Sequence, residues 1–215
     1  MSAIGGLCPD ETRDAARCPH VLYRDVLGAA TVAGLLDYVV LNRGRFRPAP
    51  VRSRGIAREA VDQARRDGLL LGDLGPFRAP IEAFVRRIAP DALARLGLTE
   101  PAVEPREFEI SSYGDRGHFA AHLDTTDLPG RVRILSCVYY FARSPGRFSG
   151  GELRLHGFPS PSGEGSAPVV DVAPETDTLI AFPSWLVHQI LPIRVPSAAW
   201  ADRRFAINCW IHRCP

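Results

Sequence analysis

From about Val103 to its end the chain is cut into short runs of alternating apolar and polar residues. The runs are Glu104–Tyr113, Phe119–Leu123, Val132–Phe141, Glu152–His156, Val169–Val172, Thr178–Ala181, Val187–Val195 and Arg204–Ile211. Between them stand Gly130, Ser144-Pro145-Gly146, Gly150-Gly151, the turn from Pro159 to Gly163, Pro174, Pro183 and Pro196. A strand points successive side chains to opposite faces, so a period of two marks strands. Short strands at this spacing, separated by turn residues, predict a sandwich or jelly roll.

The first hundred residues have another texture. Residues 1–19 mix charges with Gly5-Gly6 and two prolines, and are expected to be loose. His20–Leu27 is a candidate first strand. Ala29–Asn42 carries Val32, Leu35, Leu36, Val39 and Val40 on one helical stripe. Arg43–Arg58 sets Arg43, Arg45, Arg47, Arg52, Arg54 and Arg58 around Phe46 and two prolines, which predicts an extended segment and a loop. Glu59–Arg66 is expected to be a short helix ended at Gly68, and Leu69-Leu70-Leu71 a buried edge. Pro76–Ile88 reads as a second long helix, with Pro76 suited to the first turn and Ile81, Phe84, Val85 and Ile88 on one face; Pro90–Leu96 continues it. Mainly β with N-terminal helices is therefore the expected class. No linker divides the chain, so one domain is expected over 1–215: residues 20–102 as helical buttress and lid segments, and 103–215 as the β core.

Composition removes several functions. The formal charge of +2 is too small to argue for nucleic acid or a membrane surface. All 26 basic residues are arginine, which excludes a Schiff-base lysine and a P-loop lysine. Cys8, Cys18, Cys137, Cys209 and Cys214 are odd in number, spread out and without a Cys-x-x-Cys pair, so a reduced cytoplasmic chain is expected. Asp10, Glu11 and Asp14 near the start do not fit a signal peptide. The apolar stretch Ala29–Leu41 is interrupted by Asp37 and too short to span a bilayer.

Two stretches carry chemistry. In an extended strand, residues two apart share a face, so His122 and Asp124 of His122-Leu-Asp124 project together. With a second imidazole they would form a 2-His-1-carboxylate set, which suits non-haem Fe(II). His188 is the candidate. The second stretch is Arg204-Phe-Ala-Ile-Asn-Cys-Trp-Ile-His. Its alternation gives one face to Phe205, Ile207, Cys209 and Ile211, and the other to Arg204, Ala206, Asn208 and Trp210. Arginine, asparagine and tryptophan on one barrel face fit a polar pocket. A buried Arg204 needs a partner, and a small dicarboxylate supplies one in bidentate geometry.

On these residues the C-terminal half resembles the Fe(II)/2-oxoglutarate-dependent dioxygenases, in particular the prolyl-4-hydroxylase-like branch. The likeness runs from Tyr113 to His212. It consists of Tyr113 ahead of His122-Leu-Asp124, Cys137-Val-Tyr-Tyr140, Gly150-Gly151-Glu-Leu153, Phe182-Pro183 before His188, and Arg204 to Trp210. The resemblance implies a double-stranded β-helix. It implies Fe(II) held by His122, Asp124 and His188, and 2-oxoglutarate held at its distal carboxylate by Arg204, with Tyr113 and Tyr140 donating nearby and Asn208 and Trp210 beside it. Molecular O2 would be the further co-substrate and ascorbate an accessory reductant. Because Asp124 is present, the resemblance favours hydroxylation over halogenation.

The implied substrate is an amino acid, a peptidyl prolyl-like residue, or a small natural-product intermediate; the chain would act as a monomer or homodimer. Two rivals stand beside it. A non-catalytic sensor of a metal or small acid is disfavoured by the intact ligand set. A zinc hydrolase lacks a positioned general base beyond Asp124. Arg203 is expected to point away from the pocket. His118 is expected near solvent, with His20, His156 and His212 at the surface or at strand ends. Part of Arg43–Arg58, with the turn from Ser144 to Gly151, is expected to form a lid over the substrate.

Overall fold

The computed structural model describes residues 17–51, 60–100, 102–125, 132–158 and 169–214. In chain order its strands are β1 (Val21–Arg24), β2 (Arg47–Pro48), β3 (Arg66–Asp67), β4 (Leu69–Leu71), β5 (Val103–Tyr113), β6 (His118–His122) and β7 (Arg133–Phe141). They continue with β8 (Ser149–Gly150), β9 (Leu153–His156), β10 (Val169–Val172), β11 (Thr178–Pro183), β12 (Val187–Ile190), β13 (Ile193–Arg194) and β14 (Arg204–Arg213). The helices are α1 (Ala29–Leu41) and α2 (Arg78–Arg95). The larger sheet runs β1-β11-β7-β14-β5-β4-β2, and the smaller runs β10-β9-β12-β6-β3. The two pack face to face as a double-stranded β-helix, and β8 and β13 make a separate ribbon.

β14 lies at the middle of the larger sheet, and its alternation sets both sides of it. Phe205, Ile207, Cys209 and Ile211 face the helices. There they join Leu135, Cys137, Tyr139 and Phe141 of β7, and Leu35, Val39, Ile81, Val85 and Ile88 of α1 and α2, in the largest core cluster. The opposite face of the sheet packs Tyr140, Ile180, Phe182 and Ala206 against Leu153, Leu155 and Leu186 of the smaller sheet side. A slip of one residue would exchange these two faces, so the apolar row fixes the register.

The helices therefore buttress one face of the barrel, as their stripes predict. α2 runs unbroken through Pro90. A proline inside a helix costs about 3 kcal/mol. Here Ile88, Ala89, Ala92 and Leu93 are buried on both sides of it, and that packing keeps the helix continuous. α1 has no side-chain cap of its own. Its entry is held instead by Asp177, whose carboxylate accepts Leu27 N at 2.8 Å and Gly28 N at 2.9 Å. The same carboxylate accepts the buried Tyr139 hydroxyl at 2.9 Å. A negative charge there also favours the positive end of the helix dipole.

Three expectations change. Residues 60–66 are not helical: Ala60 bridges to Val51, a turn follows, and Arg66 enters β3. Tertiary pairing with β6 overrides helix propensity there. Val187–Val195 is two strands rather than one, because Pro192 cannot donate to a ladder and the partner changes from β9 and β6 to β8. His212 is buried, with Nε2 at 2.8 Å from Glu107 Oε1. Of the segment 1–19 expected to be loose, residues 1–16 lie outside the described residues, and Cys18 is buried in the core between the sheets.

Asp177→Ala leaves three donors without their acceptor, the Tyr139 hydroxyl among them. We expect it to lower stability by about 2–4 kcal/mol, and Tyr139→Phe by about 1 kcal/mol. Urea unfolding checks this, with the midpoint falling in both variants at an unchanged slope.

Candidate functional site

β6 and β12 lie side by side with His122 opposite His188. Asp124 follows β6 directly, and its N–H donates to Ser184 O at 3.0 Å. One side-chain ligand atom from each of His122, Asp124 and His188 can be chosen so that all lie within 4.8 Å of one another. His122 Nε2 is 3.6 Å from Asp124 Oδ1, and His188 Nε2 is 3.5 Å from Asp124 Oδ2. Each ring is oriented by its own backbone: His122 Nδ1 meets Ala120 O at 2.9 Å, and His188 Nδ1 meets Leu186 O at 2.9 Å. A carbonyl accepts only, so Nδ1 carries the proton on both rings and the Nε2 lone pairs face Asp124. Outer hydrogen bonds of this kind fix the tautomer of metal-binding histidines.

The charges suit a cation. Burial and the neighbouring His188 hold the His122 imidazole well below its usual range, so the ring is neutral. Burial alone would push Asp124 up, but His188, His122 and the Ser136 hydroxyl together hold it below the carboxylate range. Ser136 Oγ donates to Asp124 Oδ2 at 2.6 Å and lies 3.1 Å from Ser184 Oγ. Both groups have lowered pKa values, so the linkage has one sign: each makes the fold less stable as pH falls. An unfolded chain protonates His122 first, so this ring costs stability as pH falls below the ordinary imidazole range. Asp124 contributes stability that is complete above the ordinary carboxylate range and is lost as pH falls through its depressed pKa.

The same cavity, of about 360 Å³, is lined by Arg204 and Tyr113 as well as by the three ligand candidates. Arg204 is only 1% exposed. Its Nε donates to Gly151 O at 2.8 Å. Nη1 and Nη2 are buried without a partner. Its guanidinium lies 4.9 Å from the Tyr140 ring and 5.6 Å from the Tyr113 ring. Gly151 is required at its position: φ is +74°, and a Cβ would come within 2.6 Å of Ile193 Cγ1 and 2.8 Å of Arg204 Cδ. Two orphaned NH2 groups on a cation that cannot deprotonate fit a carboxylate, and two imidazole Nε2 atoms with one carboxylate fit a divalent metal. The residues present thus match both Fe(II) and a dicarboxylate 2-oxoacid.

Asn208 and Trp210 line the cavity, as the alternation of β14 predicts. Tyr140 does not line it. Its hydroxyl is buried behind Arg204 without a hydrogen bond of normal geometry, and burial pushes its pKa up to about 12. The Tyr113 hydroxyl accepts from Arg66 Nε at 3.2 Å. Trp210 Nε1 approaches Asp124 closely enough to help hold it ionised, yet makes no hydrogen bond of normal geometry. Arg203 points away, with Nε donating to Ser112 Oγ at 2.8 Å. His118 is engaged by Arg116 O and Ala64 O, each at 3.1 Å.

Within Arg43–Arg58, the described part of the expected lid meets the cavity through Pro50 and Val51 and not through its arginines or Phe46. Arg45 is paired with Asp73 at 2.8 Å, Arg47 bonds Gly44 O and Phe46 O, and Phe46 is buried at 5.0 Å from the Trp200 ring. None of the three lines the cavity; Pro50, Val51, Arg65 and Arg66 do. The apolar ring of Phe46 goes to the core and draws its arginine neighbours to the outer surface. Arg52, Arg54 and Arg58 lie outside the described residues.

Two arginine–glutamate pairs form the rest of the wall. Arg66 stacks 4.5 Å over Phe119, which itself stacks on His122, and its Nη2 is 3.5 Å from Glu109 Oε1. Arg133 stacks 4.1 Å over Trp210, is paired with Glu107 through Nε and Nη2, and donates from Nη1 to Asp124 O at 3.2 Å. Sequence reasoning missed all four, and Ser136. Ser136 was reachable, since it stands four residues before Tyr140 on one strand face. Arg66 was not, because β3 joins the barrel only through tertiary pairing.

Comparisons with known proteins agree with this geometry. Residues 108–212 match the 2OG-Fe(II) oxygenase superfamily. An uncharacterized PKHD-type hydroxylase of Synechocystis sp. is 27% identical over 156 residues, which is 71% of this chain and 52% of the relative. The chain thus spans about half the length of that curated relative. A Pseudomonas putida prolyl-4-hydroxylase has the same fold at a TM-score of 0.66 and 21% identity, covering 94% of this chain and 96% of its own. A Trichoplax adhaerens prolyl hydroxylase, solved with a hypoxia inducible factor peptide fragment, reaches 0.62 at 18% identity, covering 94% and 86%. The epimerase SnoN from nogalamycin biosynthesis reaches 0.60 at 17%, covering 93% and 79%.

Ser136→Ala removes the hydroxyl that orients Asp124. We expect Mn(II) or Fe(II) affinity to fall about 10-fold or more, and His122→Ala to abolish binding. Anaerobic calorimetry measures both, and unchanged affinity in His122→Ala would remove that residue from the ligand set.

Proposed function

We propose that this chain, whose residues 108–212 belong to the 2OG-Fe(II) oxygenase superfamily, is an Fe(II)- and 2-oxoglutarate-dependent dioxygenase that hydroxylates an unactivated C–H bond of an amino-acid or prolyl-like peptidyl residue. The observation that carries the reading is the pairing of two unmet needs in one cavity. A His-Asp-His set offers three converging ligand atoms to a cation, and a buried guanidinium offers two terminal nitrogens that no protein group engages. A hydroxylase relative, and a neighbour in fold solved with a peptide fragment, support the substrate class.

His122, Asp124 and His188 would hold the iron, and Arg204 the distal carboxylate of 2-oxoglutarate. Bound there, ferrous iron with O2 and 2-oxoglutarate supplies the oxidation that places one oxygen atom on the substrate carbon and releases succinate and CO2. The protein's own contribution is positioning. Ala120 O and Leu186 O hold the imidazole Nδ1 atoms and so aim both rings. Ser136 fixes the carboxylate. Gly151 O takes the one Arg204 donor that faces away from the co-substrate, leaving the planar pair of N–H groups for a bidentate contact. Leu153 and Ile190 on the cavity wall make its surroundings apolar, which strengthens that contact. No helix among the described residues is long and apolar enough to cross a membrane.

Succinate release from 2-oxoglutarate, with Fe(II) and air, tests the class. Arg204→Ala removes one partner of a buried charged pair, a loss of about 3–5 kcal/mol. We expect the KM for 2-oxoglutarate to rise by about 100-fold or more. Arg203→Ala, whose guanidinium lies on the other face, is expected to stay within about threefold. Equal effects in the two variants would refute the assignment of Arg204.

A further inference from the structure

Two acceptors in the cavity wall have no donor. Asn208 and Glu109 stand opposite each other on β14 and β5. Asn208 Nδ2 donates to Glu109 Oε1 at 3.2 Å, and Arg66 Nη2 lies 3.5 Å from the same oxygen. Glu109 Oε2 and Asn208 Oδ1 accept no hydrogen bond among the described residues, and both side chains are half-buried. The amide orientation follows from its neighbour, because turning it would set Oδ1 against Glu109 Oε1. Both residues line the cavity that holds His122, Asp124 and His188.

The other charges nearby are committed. Arg133 is spent on Glu107 and Asp124 O. Glu107 gives both oxygens to Arg133 and one of them also to His212. Arg66 is spent on Tyr113, Pro50 O and Glu109. Arg204 lies at the opposite end of the same strand face, four residues from Asn208. Among the described residues, what remains beside the metal-ligand set is the Trp210 Nε1 donor and, next to each other, one carboxylate oxygen and one amide oxygen. Such a pair recognises a group with at least two N–H donors and a positive charge. A backbone amide offers one N–H and no charge. Burial also pushes the Glu109 carboxyl up, although Arg66 and Asn208 oppose it, so a cation placed there stabilises the ionised form.

We propose that Glu109 and Asn208 form a specificity subsite for a protonated amine, so that the substrate is a free amino acid rather than a residue inside a peptide. This rests on the dioxygenase reading and narrows its substrate. The ammonium would lie against Glu109 Oε2 and Asn208 Oδ1, with the oxidised carbon turned toward His122, Asp124 and His188. A cavity of about 360 Å³ is of small-molecule size.

The test offers the full chain, with Fe(II), 2-oxoglutarate and air, the twenty L-amino acids singly. Their N-acetyl forms and a peptide with internal proline are run beside them. Succinate and a mass gain of one oxygen are read. The expected result is oxidation of at least one free amino acid, with kcat/KM for its N-acetyl form lower by about 100-fold or more, because acetylation removes the charge and leaves an acceptor unpaired. Glu109→Gln should raise the KM for that amino acid about 100-fold while kcat at saturation and the KM for 2-oxoglutarate move far less, and Glu109→Asp should recover part of the loss. The comparison of free and acetylated forms on the unmodified chain stands even if Glu109→Gln does not fold. Preference for the N-acetyl form or the peptide overturns the proposal. So does an unchanged KM in a folded Glu109→Gln, or oxidation of no free amino acid while 2-oxoglutarate is still consumed. Failure of the chain to consume 2-oxoglutarate at all overturns the dioxygenase reading, and this inference with it.

Discussion

A guanidinium that cannot lose its proton is buried in the central strand of the larger sheet, and its two terminal nitrogens are left without a partner. Leaving a buried charge uncompensated costs several kcal/mol, so a fold keeps such a group only where something else offsets the cost. Stacking near Tyr140 and Tyr113 and the bond to Gly151 O meet part of that need. An anion in the cavity, as proposed, would meet the rest. Holding Arg204 in place takes the whole larger sheet: β5 and β7 flank β14 along its length, and the helices seal the reverse face.

The cavity is therefore built from opposed demands on neighbouring residues. Every second residue of β14 goes into a dry core, and the residues between carry the polar groups. The same division runs through β7, where Ser136 and Tyr140 point inward while Leu135, Cys137, Tyr139 and Phe141 point to the helices. The smaller sheet contributes the two imidazoles, each locked by a carbonyl two residues earlier. Strands on both sides hold the three ligand atoms within 4.8 Å of one another. Such preorganisation is what a site needs if binding is to cost little reordering.

The wall around this centre is not a generic apolar pocket. Each of two arginines lies flat on an aromatic ring and is tied to a glutamate, one beside His122 and one beside Asp124. A planar, always charged side chain suits both contacts at once. This arrangement commits the positive charge of the wall to the protein and leaves Glu109 and Asn208 with capacity to spare. That spare capacity is what the proposed amine subsite would use.

Much of this was legible in the sequence, for one reason: strand alternation is local. His122 with Asp124, and Arg204 with Asn208 and Trp210, share a face whatever surrounds them. The apolar stripes of both helices, the Gly/Pro punctuation of the barrel and the outward direction of Arg203 are local in the same way. What tertiary structure alone decided are the contacts that join distant segments. Arg66 reaches Tyr113 and Glu109 only because β3 pairs with β6, against a helical expectation for residues 59–66. Phe46 takes its arginine neighbours away from the cavity only because Trp200 lies where it can be covered. Tyr140 packs against the Arg204 guanidinium and stays out of the cavity lining, which only the packing of the two sheets decides. The sequence by itself determined which residues face the cavity from each strand; the packing of strands and helices decided which of those groups are already satisfied, and hence which are left to bind.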